Sequence, residues 1–142
     1  LPVAQIKRLQ HMLHIAARIL SMTPSSASVT PVLKNLHWLP IAQRIQYKIL
    51  LLTFKALHGF APSYLSELLQ WESKETSLTT RSTNTNRLKP KTTRTKTFGE
   101  RSFSAAAPYL WNDLPPKIRS IHKIEPFKSE LKTHLYKAAY KD

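Results

Sequence analysis

The chain has 142 residues with 22 Lys and Arg against 8 Asp and Glu, which gives a formal net charge of +14. This length allows one modest hydrophobic core but not two full domains. The absence of cysteine excludes disulfides, thiolate zinc sites and cysteine nucleophiles, and it fits a reducing, intracellular compartment. The hydrophobic content of 42 % is too high for a wholly disordered chain. The charge makes polyanions the default class of partner.

Two helices are predicted in the first 40 residues. In the first, apolar residues recur at spacings of three and four, and the helix ends because the residue before Pro24 avoids helical geometry. Its apolar stripe consists of Ile6, Leu9, Leu13, Ala16 and Leu20. A shorter second helix is predicted to start at Thr30 and Pro31, which suit a helix start, and to reach Trp38.

The third predicted helix is the most apolar part of the chain. It covers residues 40–58 and stops at Gly59, the usual residue just beyond a helix end. Its wide apolar arc is typical of a central helix that neighbours cover. Its longest uninterrupted apolar run, residues 49–52, is far too short to span a membrane. With a fourth helix starting at Pro62, the pattern predicts a helical bundle over residues 1–70.

The middle of the chain, residues 71–98, differs in composition from both ends. Thr, Ser, Asn, Lys and Arg dominate residues 76–97, where Leu78 and Leu88 are the only large apolar residues. We therefore expect a solvated, basic linker, with short edge strands as the alternative. The cations between positions 81 and 101 are the densest of the chain and are candidate nucleic-acid-binding residues. They are Arg81, Arg87, Lys89, Lys91, Arg94, Lys96 and Arg101.

A smaller helical part is predicted over residues 99–142. Its first segment, residues 101–113, carries an apolar patch and contains Pro108, which is expected to break or kink it. The last helix is expected to start at Pro126. Its apolar stripe is Phe127, Leu131, Leu135 and Ala138. The predicted fold class is therefore all-α.

Most catalytic chemistries lack their residues in this chain. The acidic residues are single and scattered, whereas two-metal phosphoryl transfer needs several carboxylates that converge on two cations. The adjacent aspartates of template-directed polymerases are absent. Two glycines cannot supply a phosphate-binding loop, and no Gly-x-Ser-x-Gly elbow is present. We therefore expect no catalytic residue, no metal site and no cofactor.

Histidines leave one alternative open. His11 and His14 are three residues apart on one predicted helix, but the first 66 residues contain no Cys, Asp or Glu to complete a metal site. His37 and His58 end predicted helices, where the helix dipole stabilises a cationic imidazole. Packing or capping is the favoured interpretation of all four. A small enzyme that uses His37 or His58 is the last-ranked alternative.

Nucleic-acid binding is the function that the charge favours. Lys and Arg neutralise phosphates and release counterions, an attraction that is independent of base sequence and weakens as salt rises. Thr, Ser and Asn of the basic segment add hydrogen bonds to phosphate and sugar, and Trp71, Phe98 and Tyr109 can stack on unpaired bases. The strongest phosphate contacts are expected from Arg87, Lys89, Lys91, Arg94 and Lys96. Solubility alone is the alternative interpretation of these cations.

Several blocks of the chain, in order, resemble one protein family. They are AARIL (16–20), VTPVLKNLHWLPI (29–41), RIQYKILLLTFKALHG (44–59), APSYL (61–65), GERSF (99–103), APYLWNDLP (107–115) and FKSELKTHL (127–135). This series is similar to the region that follows the palm in the reverse transcriptases of LINE-type (non-LTR) retrotransposons. The resemblance covers nearly the whole chain, with residues 1–70 resembling the thumb.

The resemblance implies a thumb-and-tail segment of a longer chain. Such a segment would grip an RNA template or an RNA–DNA hybrid through backbone phosphates, while the catalytic palm and an endonuclease would lie upstream. The function expected is therefore non-catalytic, non-specific nucleic-acid binding, with no membrane partner. The alternative is a structural remnant that docks on the missing palm domain and has no binding function of its own.

Overall fold

The computed structural model describes residues 2–72, 86–92, 99 and 102–140. Helices dominate these residues, and the described ranges contain no sheet, only an isolated antiparallel bridge between Trp71 and Leu88. The all-α class predicted from the sequence is thereby confirmed. The helices are α1 (Val3–Ser21), α2 (Thr30–Asn35), α3 (Ile41–Leu57), α4 (Ser63–Ser66), α5 (Phe103–Asp113), α6 (Pro116–Arg119) and α7 (Ile124–Ala139).

The ends of α2 and α3 follow from single residues. Helix α3 stops where the sequence predicts, because Gly59 takes a φ of +75° just beyond its end. Helix α2 is shorter than predicted and does not reach Trp38. His37 adopts a positive φ of 52°, which a right-handed helix cannot contain, so the chain leaves the helix before Trp38.

The C-terminal helices differ from the prediction in three places. Pro108 does not break α5, which runs through it although proline removes a backbone donor at a cost of about 3 kcal/mol. Burial of Pro108 and Trp111 on the same helix offsets that cost. The short helix α6 was not predicted; Pro116 starts it with a backbone already suited to a first helical turn. Helix α7 begins at Ile124, two residues before the predicted start at Pro126.

The chain divides into two compact units, and α3 and α7 each contribute residues to both. Unit 1 comprises Leu1–Tyr47 and Lys132–Asp142, and unit 2 comprises Lys48–Leu131. The core of unit 1 is built from buried side chains of α1 and α2 and from partly buried side chains packed against them. These are Leu13, Ala17, Val29 and Leu33, with Val32, Trp38, Ile41 and Tyr140 around them.

Helix α1 presents to this core a face that only partly matches the predicted stripe. Leu13 is buried as expected, but the second buried residue is Ala17, whereas Ala16 and Leu20 of the predicted stripe are exposed. Polar bonds help to fix this orientation. The side chain of Gln10 accepts a hydrogen bond from the backbone N–H of Ile41 at 2.8 Å, which satisfies an otherwise unpaired donor at the start of α3.

The core of unit 2 is aromatic. The ring of Phe127 stacks on Phe54 at a centroid distance of 4.2 Å, and the Trp111 ring lies 5.9 Å from it. All three side chains are fully buried. Thr53 is also fully buried, and its hydroxyl donates to the Ile49 carbonyl at 2.8 Å, so it leaves no unpaired donor. The indole N–H of Trp111 also bonds to the Asn86 carbonyl, so this core supports residues 86–92.

Candidate nucleic-acid interface

Residues 86–92 are held against the rest of unit 2 through Leu88. The Leu88 side chain is fully buried, and the Asn112 side chain pairs with both backbone polar groups of this residue. Asn112 Oδ1 accepts the Leu88 N–H at 2.9 Å, and Asn112 Nδ2 donates to the Leu88 carbonyl at 2.7 Å. Because both groups are satisfied inside the protein, the segment is fixed without pairing in a sheet.

Backbone pairing with residues 70–72 extends this anchoring. Trp71 lies opposite Leu88 in an antiparallel bridge. The Glu72 N–H donates to the Arg87 carbonyl at 3.0 Å, and the Lys89 N–H donates to the Gln70 carbonyl at 2.8 Å. Side chains alternate along an extended chain. Leu88 therefore points into the core while its two basic neighbours point outward.

The start of the segment is fixed by a third set of bonds. The Asn86 carbonyl accepts the indole N–H of Trp111 at 3.0 Å and the Nη1–H of Arg119 at 3.2 Å. Arg119 is only 4 % exposed, and its Nε has no hydrogen-bond partner within the part of the chain that the structure describes. Burial, together with the nearby charge of Arg87, lowers the pKa of this guanidinium. It nevertheless stays charged at neutral pH and adds positive potential beneath the segment.

Three of the seven predicted binding residues therefore lie on or just after the part of the chain that these bonds hold. Arg87, Lys89 and Lys91 are all exposed and occupy every second position. In an extended chain that spacing separates successive side chains on one side by about 6.6 Å. Phe98 lies outside the described residues. So do the other four predicted cations, which are Arg81, Arg94, Lys96 and Arg101.

Acidic residues modulate this row of cations. The Nε of Arg87 lies 3.7 Å from the Glu72 carboxylate, and both side chains are about half exposed, so the pair is weak. Lys89 and Lys91 line a shallow groove of about 280 Å³ that also contains Glu67. Leu68, Gln70, Pro90 and Thr92 complete its lining. The groove is thus basic, with a carboxylate on one side.

Two of the aromatic residues predicted to stack on bases are accessible. Trp71, which pairs with the basic segment, is 49 % exposed, and Tyr109 of α5 is also exposed. Trp111, by contrast, is fully buried. Of these residues, Trp71 is the one that the structure places beside the exposed cations.

Three of the histidines make packing or capping contacts. The Nδ1 of His58 bonds to the Phe54 carbonyl at 2.9 Å, and its ring stacks on Phe54 at 4.1 Å, which closes the end of α3. The His37 ring stacks on Tyr136 at 5.9 Å. The Gln10 amide donates to the Nε2 of His14 at 2.7 Å. No group of three His, Cys, Asp or Glu side chains able to hold a metal occurs in the described ranges.

Sequence reasoning missed the residues that hold the interface in place. Asn112, Trp111 and Arg119 lie 24 to 33 positions from their partners in the chain, so no local pattern reveals their hydrogen bonds. One signal was available. Leu88 is one of only two large apolar residues in the polar, basic run 76–97, and an isolated apolar side chain in such a run can indicate an anchoring residue.

No helix among the described residues is both long enough and apolar enough to cross a bilayer. Comparison of the chain with models of protein families, with characterised proteins and with solved structures found no match.

Proposed function

We propose that this chain binds the phosphate backbone of RNA or of an RNA–DNA hybrid, without base specificity and without catalysis. The observation that carries the proposal is the row formed by Arg87, Lys89 and Lys91, which lies on or just after a backbone that hydrogen bonds hold at residues 86–89. A fixed backbone reduces the conformational entropy that binding must remove, because only side chains remain to be ordered. Each phosphate contact then releases counterions, which makes binding favourable at low salt.

Trp71 supports the choice of an unpaired or partly unpaired strand. Its half-exposed indole lies beside the cations, and stacking on an indole contributes about 1–3 kcal/mol per base. The resemblance to the thumb and tail of LINE-type reverse transcriptases supports the same partner. In that setting the chain would hold the template while an upstream palm domain carries out synthesis.

The test compares two variants that lose the same charge. Arg87, Lys89 and Lys91 are changed together to Ala, and the control changes Lys48, Lys117 and Lys123, which are also exposed, to Ala. Binding to single-stranded RNA is measured by fluorescence anisotropy over a series of salt concentrations. Three lost contacts should reduce the slope of log K against log salt by about 2 in the first variant, and by much less in the control.

Equal slopes for the two variants would contradict the proposal, because the chain would then bind only through its overall charge. That outcome is the one expected for a structural remnant that docks on a palm domain. The Glu72→Gln variant sharpens the test. It releases Arg87 from its exposed ion pair, so it should raise the affinity for RNA modestly.

A further inference from the structure

Helix α1 leaves a continuous apolar stripe uncovered. Met12, Ile19 and Leu20 are 64 %, 70 % and 65 % exposed, and Leu9 and Ile15 are nearly half exposed. Positions 9, 12, 16 and 19 recur at spacings of three and four, so they share one side of the helix over about 15 Å. Leu13 and Ala17 of the same helix, by contrast, are buried in the core of unit 1.

This stripe differs from the scattered apolar residues that every protein surface carries. Single exposed apolar side chains are normal, whereas contiguous apolar patches mark interaction sites. Burying a Leu, Ile or Met side chain that is otherwise exposed contributes about 1.5–3 kcal/mol. The stripe holds several such side chains side by side, so covering them together is strongly favourable.

The spacing and the small central residue indicate that the occupant is a helix. Apolar residues at alternating spacings of three and four form the seam along which two helices pack. Ala16 is exposed at the middle of this seam, between Met12 and Ile19. A small side chain there leaves a depression between larger ones, into which a side chain of a facing helix can pack.

The positive charge of unit 1 selects the kind of helix. Helix α1 contains no acidic residue, and Arg8 lies beside the stripe, whereas Lys7 and Arg18 lie on the opposite side of the helix. Over its whole sequence, unit 1 has eight Lys and Arg and one Asp. A second copy of the chain would bring the same positive charge against this one, and like charges across an interface are costly. A partner with acidic residues beside its apolar stripe is attracted instead.

We propose that α1 is a docking surface for an amphipathic helix of another protein, with acidic residues flanking the apolar side of that helix. The contact follows the seam of Leu9, Met12, Ala16 and Ile19, with Leu20 at its edge. This surface belongs to unit 1, whereas the row of cations on residues 86–92 belongs to unit 2. The inference therefore does not depend on nucleic-acid binding.

The test uses the full 142-residue chain and two synthetic helical peptides. Each peptide has roughly four heptads with Leu at the core positions, and the flanking positions are Glu in one peptide and Lys in the other. The Glu peptide should bind at least about tenfold more tightly, measured by isothermal titration calorimetry. Because this comparison uses the unmodified chain, it does not rely on any variant folding.

Substitutions then locate the contact on α1. Met12→Ser combined with Ile19→Ser should weaken binding of the Glu peptide by at least about tenfold. The control Phe60→Ser removes an equally exposed apolar side chain outside α1 and should leave the affinity within about twofold. Helical content by circular dichroism confirms that both variants stay folded.

Three results would overturn this inference. Equal affinity for the Glu and Lys peptides would remove the charge selection. A second such result is self-association of the chain in sedimentation equilibrium that is lost in the Met12→Ser and Ile19→Ser double variant. The occupant would then be a second copy of the chain. Binding to vesicles of phosphatidylserine that the same pair abolishes would make a lipid surface the occupant.

Discussion

Residues 86–92 in unit 2 and helix α1 in unit 1 are ordered in opposite ways. The first segment is polar and basic, and hydrogen bonds from Asn112, Trp111 and residues 70–72 fix its backbone around one buried Leu88. Helix α1 satisfies most of its backbone by its own helical bonds. It packs into the core through Leu13 and Ala17 and leaves much of its apolar surface exposed.

This difference separates what orders a segment from what the segment offers to a partner. In residues 86–92, the anchoring groups are the backbone and Leu88, so the side chains of Arg87, Lys89 and Lys91 remain available. In α1, the anchoring groups occupy one narrow face, so the apolar residues on the neighbouring face remain available. Composition predicts a loose segment for the first region, and the spacing of apolar residues predicts one buried stripe for the second.

The largest expected loss of stability from one substitution is in the core that supports the basic segment. Phe127→Ala removes a buried ring that packs on Phe54 and Trp111, and it should lower the free energy of unfolding by about 3–5 kcal/mol. Urea denaturation measures this free energy of unfolding. Tyr109→Ala is the control, since an exposed ring on the same helix as Trp111 should change that free energy by no more than about 0.5 kcal/mol.

The second prediction compares the two faces of α1 directly. Leu13→Ala creates a cavity in the core of unit 1 and should lower the free energy of unfolding by about 2–5 kcal/mol. Leu20→Ala removes the same atoms from an exposed position and should cost about 0.5 kcal/mol or less. Similar losses for both variants would mean that Leu20 is covered in solution.

The third prediction concerns the polar anchor of residues 86–92. Asn112→Ala leaves the buried N–H and carbonyl of Leu88 without partners and should lower the free energy of unfolding by about 2–3 kcal/mol. Amide hydrogen exchange should become faster at Leu88 and Lys89 in particular. Asn35→Ala, at an exposed asparagine, is the matched control. Unchanged exchange at Leu88 would show that its burial alone fixes the segment.

The parts of the fold that local patterns determine were predictable. The end of α3 follows from Gly59, and the predicted stripe of α7 is buried at Phe127, Leu131 and Leu135. Both depend on residues within a few positions of one another. Helix α1 was harder, because apolar residues cover two adjoining faces and the periodicity does not say which face the core of unit 1 needs.

The candidate site was predictable only in its chemistry. Cations in a polar run indicate phosphate contact. The structure shows that Arg87, Lys89 and Lys91 are exposed, and their contact with phosphate stays a prediction. The anchoring of that run was not predictable, because Asn112 reaches Leu88 across 24 positions of the chain. Such a contact depends on the packing of α5, which no short sequence pattern around either residue specifies.

The smallest expected effect is a dependence of stability on pH. It reports on the polar contacts of α1, because its apolar contacts do not titrate. Burial, then the charges of Arg18 and His11, lower the pKa of His14 in the folded chain. The Nε2 of His14 also accepts a hydrogen bond from Gln10, which requires the neutral ring. Between the lowered pKa and the ordinary value of about 6.5, the unfolded chain binds more protons than the folded one.

The contribution of His14 to stability is therefore complete above about pH 6.5 and falls as the pH drops toward its lowered pKa. Thermal unfolding of the parent chain and of the His14→Gln variant at about pH 7.5 and about pH 5 measures this. The parent should lose more stability than the variant on acidification, by a small margin because the ring is only partly buried. Equal losses would show that the ring can be protonated while α1 stays packed on its core, and the Gln10 bond would then contribute nothing to the choice of buried face.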